Sequence, residues 1–231
     1  MVSLFTVIII SYLIGAIPSS IWYGKLFRGV DIRDHGSGNA GATNTFRILG
    51  WKAGTIVLLF DFGKGLFTTL VISQLAYSIG SGPVALYEGW DIHAMVMIFC
   101  GVSAVFGHMF PIYSNFSGGK GAATACGMLY GIEPLSISIA LSVFLIVMFT
   151  SRYVSLASIS ASFVYPFTQL TLRYGFDWHI DGSIIIFSSV IAFGIIIKHK
   201  GNIRRLLDGN ENRVKSFKPS KGRLNEEKSA A

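Results

Sequence analysis

The sequence predicts an all-α fold, a polytopic bundle of membrane-spanning helices, from two observations. Hydrophobic residues make up 52% of the 231 residues and charged residues 13%, whereas a soluble domain carries about 25% charged residues. Apolar runs of about 20 residues recur along the chain, and each of the longer ones can cross a hydrocarbon core of about 30 Å. This composition excludes a soluble enzyme, a disordered tail protein and a disulfide-rich scaffold.

Seven apolar runs are the predicted spans, at residues 2–23, 54–79, 94–113, 122–132, 135–150, 154–172 and 182–197. The first run has no Lys or Arg before it, so it lacks the basic region of a signal peptide and is expected to be retained as a helix. The run at 122–132 is short and ends at a Gly-Ile-Glu-Pro break. Two alternatives stay open for it: a thin span, or a segment folded back into the protein.

The placement of charges orients the predicted spans, because short loops rich in Lys and Arg stay on the cytoplasmic side. The loop between the first two spans carries five Lys and Arg residues, whereas residues 80–93 carry Glu88 and Asp91 and no Lys or Arg. Seven spans put the amino end outside and the loops with Lys120 and Arg152 inside, together with the carboxyl end. A five-span alternative, with residues 122–150 as a single crossing, places Arg152 outside.

The domain organisation predicted is a membrane domain at residues 1–207 followed by a basic, disordered cytoplasmic tail at residues 208–231. The tail lacks any apolar period. Its Lys and Arg residues are expected to lie against anionic membrane lipids. Nucleic acid is not an expected partner, since the tail has no interleaved aromatic residues and no known module. Cys100 and Cys126 lie in apolar surroundings and predict reduced thiols, with no disulfide, no metal site and no cofactor.

The first polar segment, residues 31–47, has the composition of a phosphate-binding loop. Glycines allow successive backbone N–H groups to face one anion, hydroxyl and amide side chains add donors, and an arginine fork adds two more. A flexible polar linker explains the glycines equally well, but it does not require an arginine at the start of the next helix. The candidate binding residues are Gly36, Ser37, Gly38, Asn39, Gly41, Thr43, Asn44 and Arg47.

The second polar segment, residues 107–124, places a glycine turn with a lysine before a predicted helix N-terminus, which is a ready anion site. It lacks the spacing of a nucleotide P-loop, so phosphate is predicted and a nucleotide is not. Tight helix packing is the alternative explanation for the glycines. The candidate residues are Gly118, Gly119, Lys120, Gly121 and Thr124, with His108 at the inner end of the preceding span.

Two further groups of polar residues lie in or beside spans. Asp61 and Lys64 are three residues apart on one helix face, so they predict a buried pair in which Asp61 has a support role and Lys64 can reach a bound anion. His199, Asn202 and Arg205 follow the last span and are candidate substrate-binding residues, and the spacing of the latter two puts them on one helix face.

Together these segments resemble the bacterial acyl-phosphate:glycerol-3-phosphate acyltransferases, an integral membrane enzyme family of phospholipid synthesis. The resemblance rests on GSGNAGATNTFR at 36–47, DFGKG at 61–65, GHMFPIYSNFSGGKGAAT at 107–124 and NIRRLLDGNE at 202–211, with SYLIGAIP at 11–18. It implies transfer of an acyl group from acyl-phosphate to the 1-hydroxyl of glycerol-3-phosphate, at a site facing the cytoplasm from the bacterial inner membrane. Lys200 departs from the pattern, because arginine is expected at that position.

The resemblance also implies residue roles. Ser37, Arg47, Asn202 and Arg205 are expected around glycerol-3-phosphate, and Lys120 with the neighbouring glycine amides around acyl-phosphate. The catalytic candidates are His108, Ser37 and Lys120, with His108 as the base or else as a group that positions the hydroxyl. No carboxylate lies at HxxxxD spacing from any histidine, which leaves open a route in which a substrate phosphate takes the proton.

The main alternative function is a transporter or channel for a phosphorylated metabolite, because glycine-broken helices and intramembrane charges are common there. Such proteins usually contain internal repeats. Neither glycine-rich segment has a second copy in this sequence, and the charged groups favour one face. The sequence therefore favours the enzyme.

Overall fold

A computed structural model describes residues 2–80, 82–83 and 89–214 of the chain, and in this part of the chain the regular structure is helical. The α-helices are α1 Val2–Gly15, α2 Ser19–Arg28, α3 Ala42–Leu49, α4 Trp51–Phe67, α5 Ser73–Ser78, α6 Ile92–Met109, α7 Ala122–Ile132, α8 Pro134–Ser151, α9 Val154–Gly175, α10 Gly182–Lys198 and α11 Lys200–Leu207. A π-helical turn, Thr68–Ile72, joins α4 to α5, and short 3-10 turns lie at Ile32–Asp34 and Ile112–Ser114. The predicted all-α class is confirmed.

Four helical segments of the described chain are long and apolar enough to cross a membrane: Val2–Arg28, Trp51–Ser78, Ile92–Ser114 and Pro134–Ser151. A fifth candidate joins α10 to α11 across a bend of 54°. The short helix α7 has 11 residues, which gives a length of about 16 Å. The multi-pass membrane architecture is thus confirmed at four to five candidate spans within the described residues, and the count of seven stays a prediction.

Glycines bring two pairs of helices into backbone contact. A Cβ added at Gly15 of α1 would lie on the backbone of Ala104 in α6, and one added at Gly107 of α6 would lie on the backbone of Tyr12 in α1. The α4–α7 pair has the same reciprocal arrangement around Gly65 and Gly127. Small residues at such positions are the usual means by which membrane helices approach closely.

The break between α7 and α8 forms at the predicted place. Pro134 opens α8, and the Glu133 side chain accepts hydrogen bonds from the backbone N–H groups of Leu135 and Ser136, so it caps the new helix. The break separates α7 from α8, so residues 122–150 do not form one continuous helix, and the single-crossing alternative stays a prediction beside the seven spans.

Residues 208–214 differ from the predicted disordered tail. The Val214 N–H donates to the Arg152 carbonyl, and the Arg213 guanidinium lies over the Tyr153 ring at 4.9 Å. The chain after α11 therefore folds back onto the α8–α9 connection. The rest of the predicted tail, residues 215–231, lies outside the described residues.

Two further features of the bundle are the state of its cysteines and a buried hydrogen bond between two helices. Cys100 and Cys126 are both free thiols, as predicted. Between α9 and α10 a buried hydrogen bond runs from Ser188 Oγ to Gln169 Oε1 at 2.6 Å, and Gln169 Nε2 donates to the Tyr165 hydroxyl. Hydrogen bonds of this kind join membrane helices.

Candidate active site

The first glycine-rich segment is held in shape by its own side chains. Asn44, in the first turn of α3, is 1% exposed. Its Oδ1 accepts from the Ser37 N–H at 3.0 Å, and its Nδ2 donates to the carbonyls of Ile32 and His35 at 3.0 and 2.9 Å. Gly36 stands at φ +65°, and a Cβ there would meet Asn44 Oδ1. Asn44 therefore organises the loop from inside.

An ion pair between Arg33 and Asp31 holds the first residues of this segment in place. Arg33 donates to Asp31 through Nη2 at 2.7 Å and Nε at 3.0 Å, and its Nη1 donates to the Ser114 carbonyl at 3.3 Å. The hydrogen bond from Arg33 lowers the pKa of Asp31, against the opposing effect of burial. The pair ties the first polar segment to the chain that leads into the second.

The second glycine-rich segment packs on the carboxyl end of α6. The Gly119 N–H donates to the His108 carbonyl at 3.2 Å. A Cβ at Gly119 would lie on His108 Nε2 and near the Ala40 carbonyl. The loop therefore sits between His108 on one side and the first glycine-rich segment on the other, and a larger residue than glycine at position 119 would not fit.

A third polar segment, residues 197–211, is arranged around the carboxylate of Glu211. Glu211 accepts from Ser155 Oγ at 3.0 Å, Asn202 Nδ2 at 2.7 Å and Arg205 Nε at 2.8 Å. Its side chain is 5% exposed. His199 is buried beside this group, with Nδ1 at 2.8 Å from the Ile195 carbonyl. Asn202 and Arg205 share one face of α11, as their spacing predicts.

Lys120 joins the second segment to the third. Its Nζ donates to Asn202 Oδ1. Burial lowers the pKa of Lys120 to about 8, and the nearby Arg205 guanidinium acts in the same direction while the Glu211 carboxylate opposes it. The two cations therefore lie close enough to repel each other, which is the arrangement expected of a site that receives an anion.

His108 is part of a buried polar group in the spans. His108 Nδ1 lies 3.4 Å from Asp61 Oδ1, which also lies 3.0 Å from Lys64 Nζ and accepts from Ser19 Oγ at 2.7 Å. His108 thus has a carboxylate beside it, although the sequence has none at HxxxxD spacing. The carboxylate belongs to Asp61 of α4, whereas His108 lies on α6. No sequence spacing could have indicated it, because α4 and α6 are brought together by packing.

Three predicted binding residues have their side chains buried inside the protein. Asn44 holds the first loop, as described. Lys64 Nζ contacts Asp61 and donates to the Ile17 carbonyl at 3.0 Å, so the structure does not bring it to the glycine-rich loops. Thr124 is fully buried in the α4–α7 contact, where its carbonyl faces Gly65.

The other predicted residues of the first segment lie nearer the surface. Gly36, Ser37, Gly38 and Thr43 are exposed, and Asn39 and Arg47 are half-buried. The residue that sequence reasoning missed is Glu211. One feature of the sequence could have indicated Glu211. It is an acidic residue that follows the helix with Asn202 and Arg205, just after Gly209, which stands at φ +71°. Within the described residues, no three His, Cys, Asp or Glu side chains are placed to share a metal ion.

The sequence and the fold of this chain are similar to those of known proteins. The sequence profile of the glycerol-3-phosphate acyltransferase family matches residues 5–209. The chain is 44% identical to the glycerol-3-phosphate acyltransferase of Salinibacter ruber, with 96% of this chain and 97% of that protein covered. It is 43% identical to that of Chlorobium phaeobacteroides, with 93% and 98% covered.

Two solved structures share the fold. Both are crystal structures of PlsY (YgiH), an integral membrane glycerol 3-phosphate acyltransferase, at 36% identity. Its glycerol 3-phosphate form gives a TM-score of 0.77 over 92% of this chain and 96% of that one. Its lysophosphatidic acid form gives 0.75 over 91% and 95%.

Proposed function

Because the chain belongs to the glycerol-3-phosphate acyltransferase family, we propose that it transfers a fatty acyl group from acyl-phosphate to the 1-hydroxyl of glycerol-3-phosphate. The products are lysophosphatidic acid and inorganic phosphate. The observation that carries this proposal is the contact between Lys120 and Asn202, which joins a glycine-rich loop to a helix that presents Arg205. Two neighbouring cationic groups suit a reaction in which donor and acceptor each carry a phosphate.

The two substrates divide the site between them. Ser37, Arg47, Asn202 and Arg205 bind glycerol-3-phosphate, and Lys120 with the amides of the Gly118–Gly121 loop binds the phosphate of acyl-phosphate. Gly36, Gly38, Asn39 and Thr43 line the acceptor side, and His199 supports α11 from below. The acyl chain of the donor lies against apolar helices, in contact with the membrane lipids around the protein.

The chemistry follows from this division. The 1-hydroxyl oxygen attacks the acyl carbon, a tetrahedral oxyanion forms, and the bond from that carbon to the phosphate oxygen breaks. Lys120 and the loop amides stabilise the negative charge on the oxyanion and on the departing phosphate. A phosphate oxygen accepts the hydroxyl proton, because the His108 ring is buried between Asp61 and Gly119 and serves to support the loop. Neither a metal ion nor a cofactor takes part in this scheme.

The direct test is an assay of purified protein in detergent. Glycerol-3-phosphate is supplied with acyl-phosphate or with acyl-CoA, each with and without EDTA. We expect lysophosphatidic acid from acyl-phosphate, at a rate that EDTA does not change. Turnover with acyl-CoA alone would contradict the proposed donor, and inhibition by EDTA would contradict the metal-free scheme.

We propose seven spans, with the amino end outside and the site facing the cytoplasm from the bacterial inner membrane. The contact of Val214 with Arg152 supports this topology, because it puts the α8–α9 connection at the same end of the bundle as the tail. The positive-inside rule makes that end cytoplasmic. The domain division into a membrane domain at 1–207 and a basic tail at 208–231 is part of the same proposal.

Cysteine labelling tests the topology. Single cysteines are introduced as Asn212→Cys and Asp177→Cys after Cys100 and Cys126 have been replaced by Ser. A membrane-impermeant thiol reagent should label intact cells through position 177 and should label position 212 only after permeabilisation. The reverse pattern, or equal labelling, would contradict the orientation.

A further inference from the structure

A group of buried polar side chains crosses three helical segments within the spans. Asp61 of α4 lies at its centre, with Oδ1 at 2.7 Å from Ser19 Oγ, 3.0 Å from Lys64 Nζ and 3.4 Å from His108 Nδ1. The side chains of Asp61 and Lys64 are 1% and 2% exposed. Charges at this depth in a membrane helix are costly and are usually retained for a function.

One side of this group fixes the break between α1 and α2. Lys64 Nζ donates to the Ile17 carbonyl at 3.0 Å. The same carbonyl accepts from the Ser19 N–H at 3.0 Å, and it lies at the break between α1 and α2, where Pro18 has no N–H to donate. The ion pair thus stabilises an irregular backbone segment inside the protein, which explains the presence of Lys64.

The other side of the group leads to the phosphate loop through His108. Because His108 Nδ1 lies 3.4 Å from the Asp61 carboxylate, we assign a proton to Nδ1. Nε2 is packed against Gly119, and the Gly119 N–H donates to the His108 carbonyl. The position of the ring therefore determines where the Gly118–Gly121 loop sits.

We propose that Asp61 is a positioning residue for acyl transfer. It acts through His108 to hold the Gly118–Gly121 loop, and with it Lys120, in the geometry that receives the phosphate of the acyl donor. This role rests on the proposed function above. Metal sites use a similar arrangement. There a carboxylate holds the histidine in the orientation that its binding role requires.

The test compares kinetic constants of Asp61→Asn with those of the wild type. We expect the KM for acyl-phosphate to rise about tenfold, because a loop displaced by about 1 Å loses binding geometry. The KM for glycerol-3-phosphate should rise much less, since Asn202 is the one proposed ligand of that substrate that contacts Lys120. If Asp61 served helix packing alone, the variant would reduce the amount of folded enzyme and leave both KM values unchanged.

A double-mutant cycle shows whether Asp61 acts through His108. His108→Ala should raise the KM for acyl-phosphate to a similar extent, and the combined Asp61→Asn/His108→Ala variant should raise it no further. If the KM of the combined variant rose by the product of the two single fold-increases, the two residues would act independently and the proposal would be overturned. Because Asp61→Asn leaves the Lys64 ammonium without its carboxylate, Asp61→Asn/Lys64→Met is measured as well and should show the same KM increase.

The matched control is Ser188→Ala. Ser188 is also buried in the bundle, and its hydroxyl donates to Gln169 of α9 and to the Ile185 carbonyl of α10, so the variant loses a buried hydrogen bond between these two helices. Its KM for acyl-phosphate should equal that of the wild type. Failure of the wild type to use acyl-phosphate would overturn the proposed function and this role with it, whereas an active wild type with unchanged KM in both Asp61 variants would overturn this role alone.

Discussion

Lys120 is the residue at which burial and charge act most directly on the proposed reaction. It is half-buried, it donates to Asn202, and the Arg205 guanidinium lies near enough to disfavour its charge. Its pKa falls to about 8 for these reasons. An ammonium that binds phosphate must be protonated, so the charge needed for binding is present below that pH and is lost above it.

We therefore predict that kcat/KM for acyl-phosphate falls as the pH rises through about 8. The substrate phosphates complete their ionisation earlier, since the second pKa of a phosphate ester is about 6. Lys120→Arg should move the fall to higher pH, because the guanidinium stays charged. A pH profile of initial rates measures both enzymes, and a wild-type profile that stays level well above pH 8 would contradict the role of Lys120.

Asn44 provides a second prediction for a single residue. Asn44→Leu removes the partners of the Ile32 and His35 carbonyls and of the Ser37 N–H. The free energy of unfolding should fall by about 2 kcal/mol, since buried backbone groups lose their hydrogen bonds. Thermal unfolding in detergent measures the change. Thr43→Ala, an exposed neighbour on the same helix, is the control and should unfold at the wild-type temperature.

At the level of helices, two glycines of α4 test whether close contact with α7 stabilises the bundle. Gly65 lies in that contact, and Gly63, two residues earlier, is the control. A Cβ at Gly65 would lie on the Thr124 carbonyl of α7, whereas a Cβ at Gly63 meets nothing within 4 Å. Gly65→Ala should therefore separate α4 from α7 and lower the unfolding temperature by several degrees, as overpacking does. Gly63→Ala should leave it unchanged or raise it slightly. Equal effects of the two substitutions would show that the close contact does not stabilise the bundle.

The element scale also shows how far the sequence could predict this fold. Long apolar runs predicted the helices, and the Glu133–Pro134 break was visible because proline and a capping acid carry a local signal. The π-helical turn at Thr68–Ile72 has no such signal, since its threonines and aliphatic residues also fit a regular helix. The inward direction of Thr124 was equally invisible, because it depends on where α4 docks.

At the scale of the whole molecule, the tail returns to the bundle. Glu211 connects α11 to α9 through Asn202, Arg205 and Ser155. A chain truncated after residue 214 should keep its stability and its kcat/KM, because these contacts remain. Truncation after residue 210 should lower both, because Asn202 and Arg205 lose their carboxylate partner. Unfolding temperature and initial rates distinguish the two chains, and equal behaviour would mean that Glu211 has no structural role.

The contact between Lys120 and Asn202 also has a consequence for biosynthesis. These residues are 82 positions apart, and a chain emerges from the ribosome with its amino end first. The membrane segments up to α10 are therefore made before the partner of Lys120 exists. A chain released early would carry both glycine-rich loops and still lack α11, so we expect acyl transfer to begin only after α11 has been made and prematurely terminated products to be inactive.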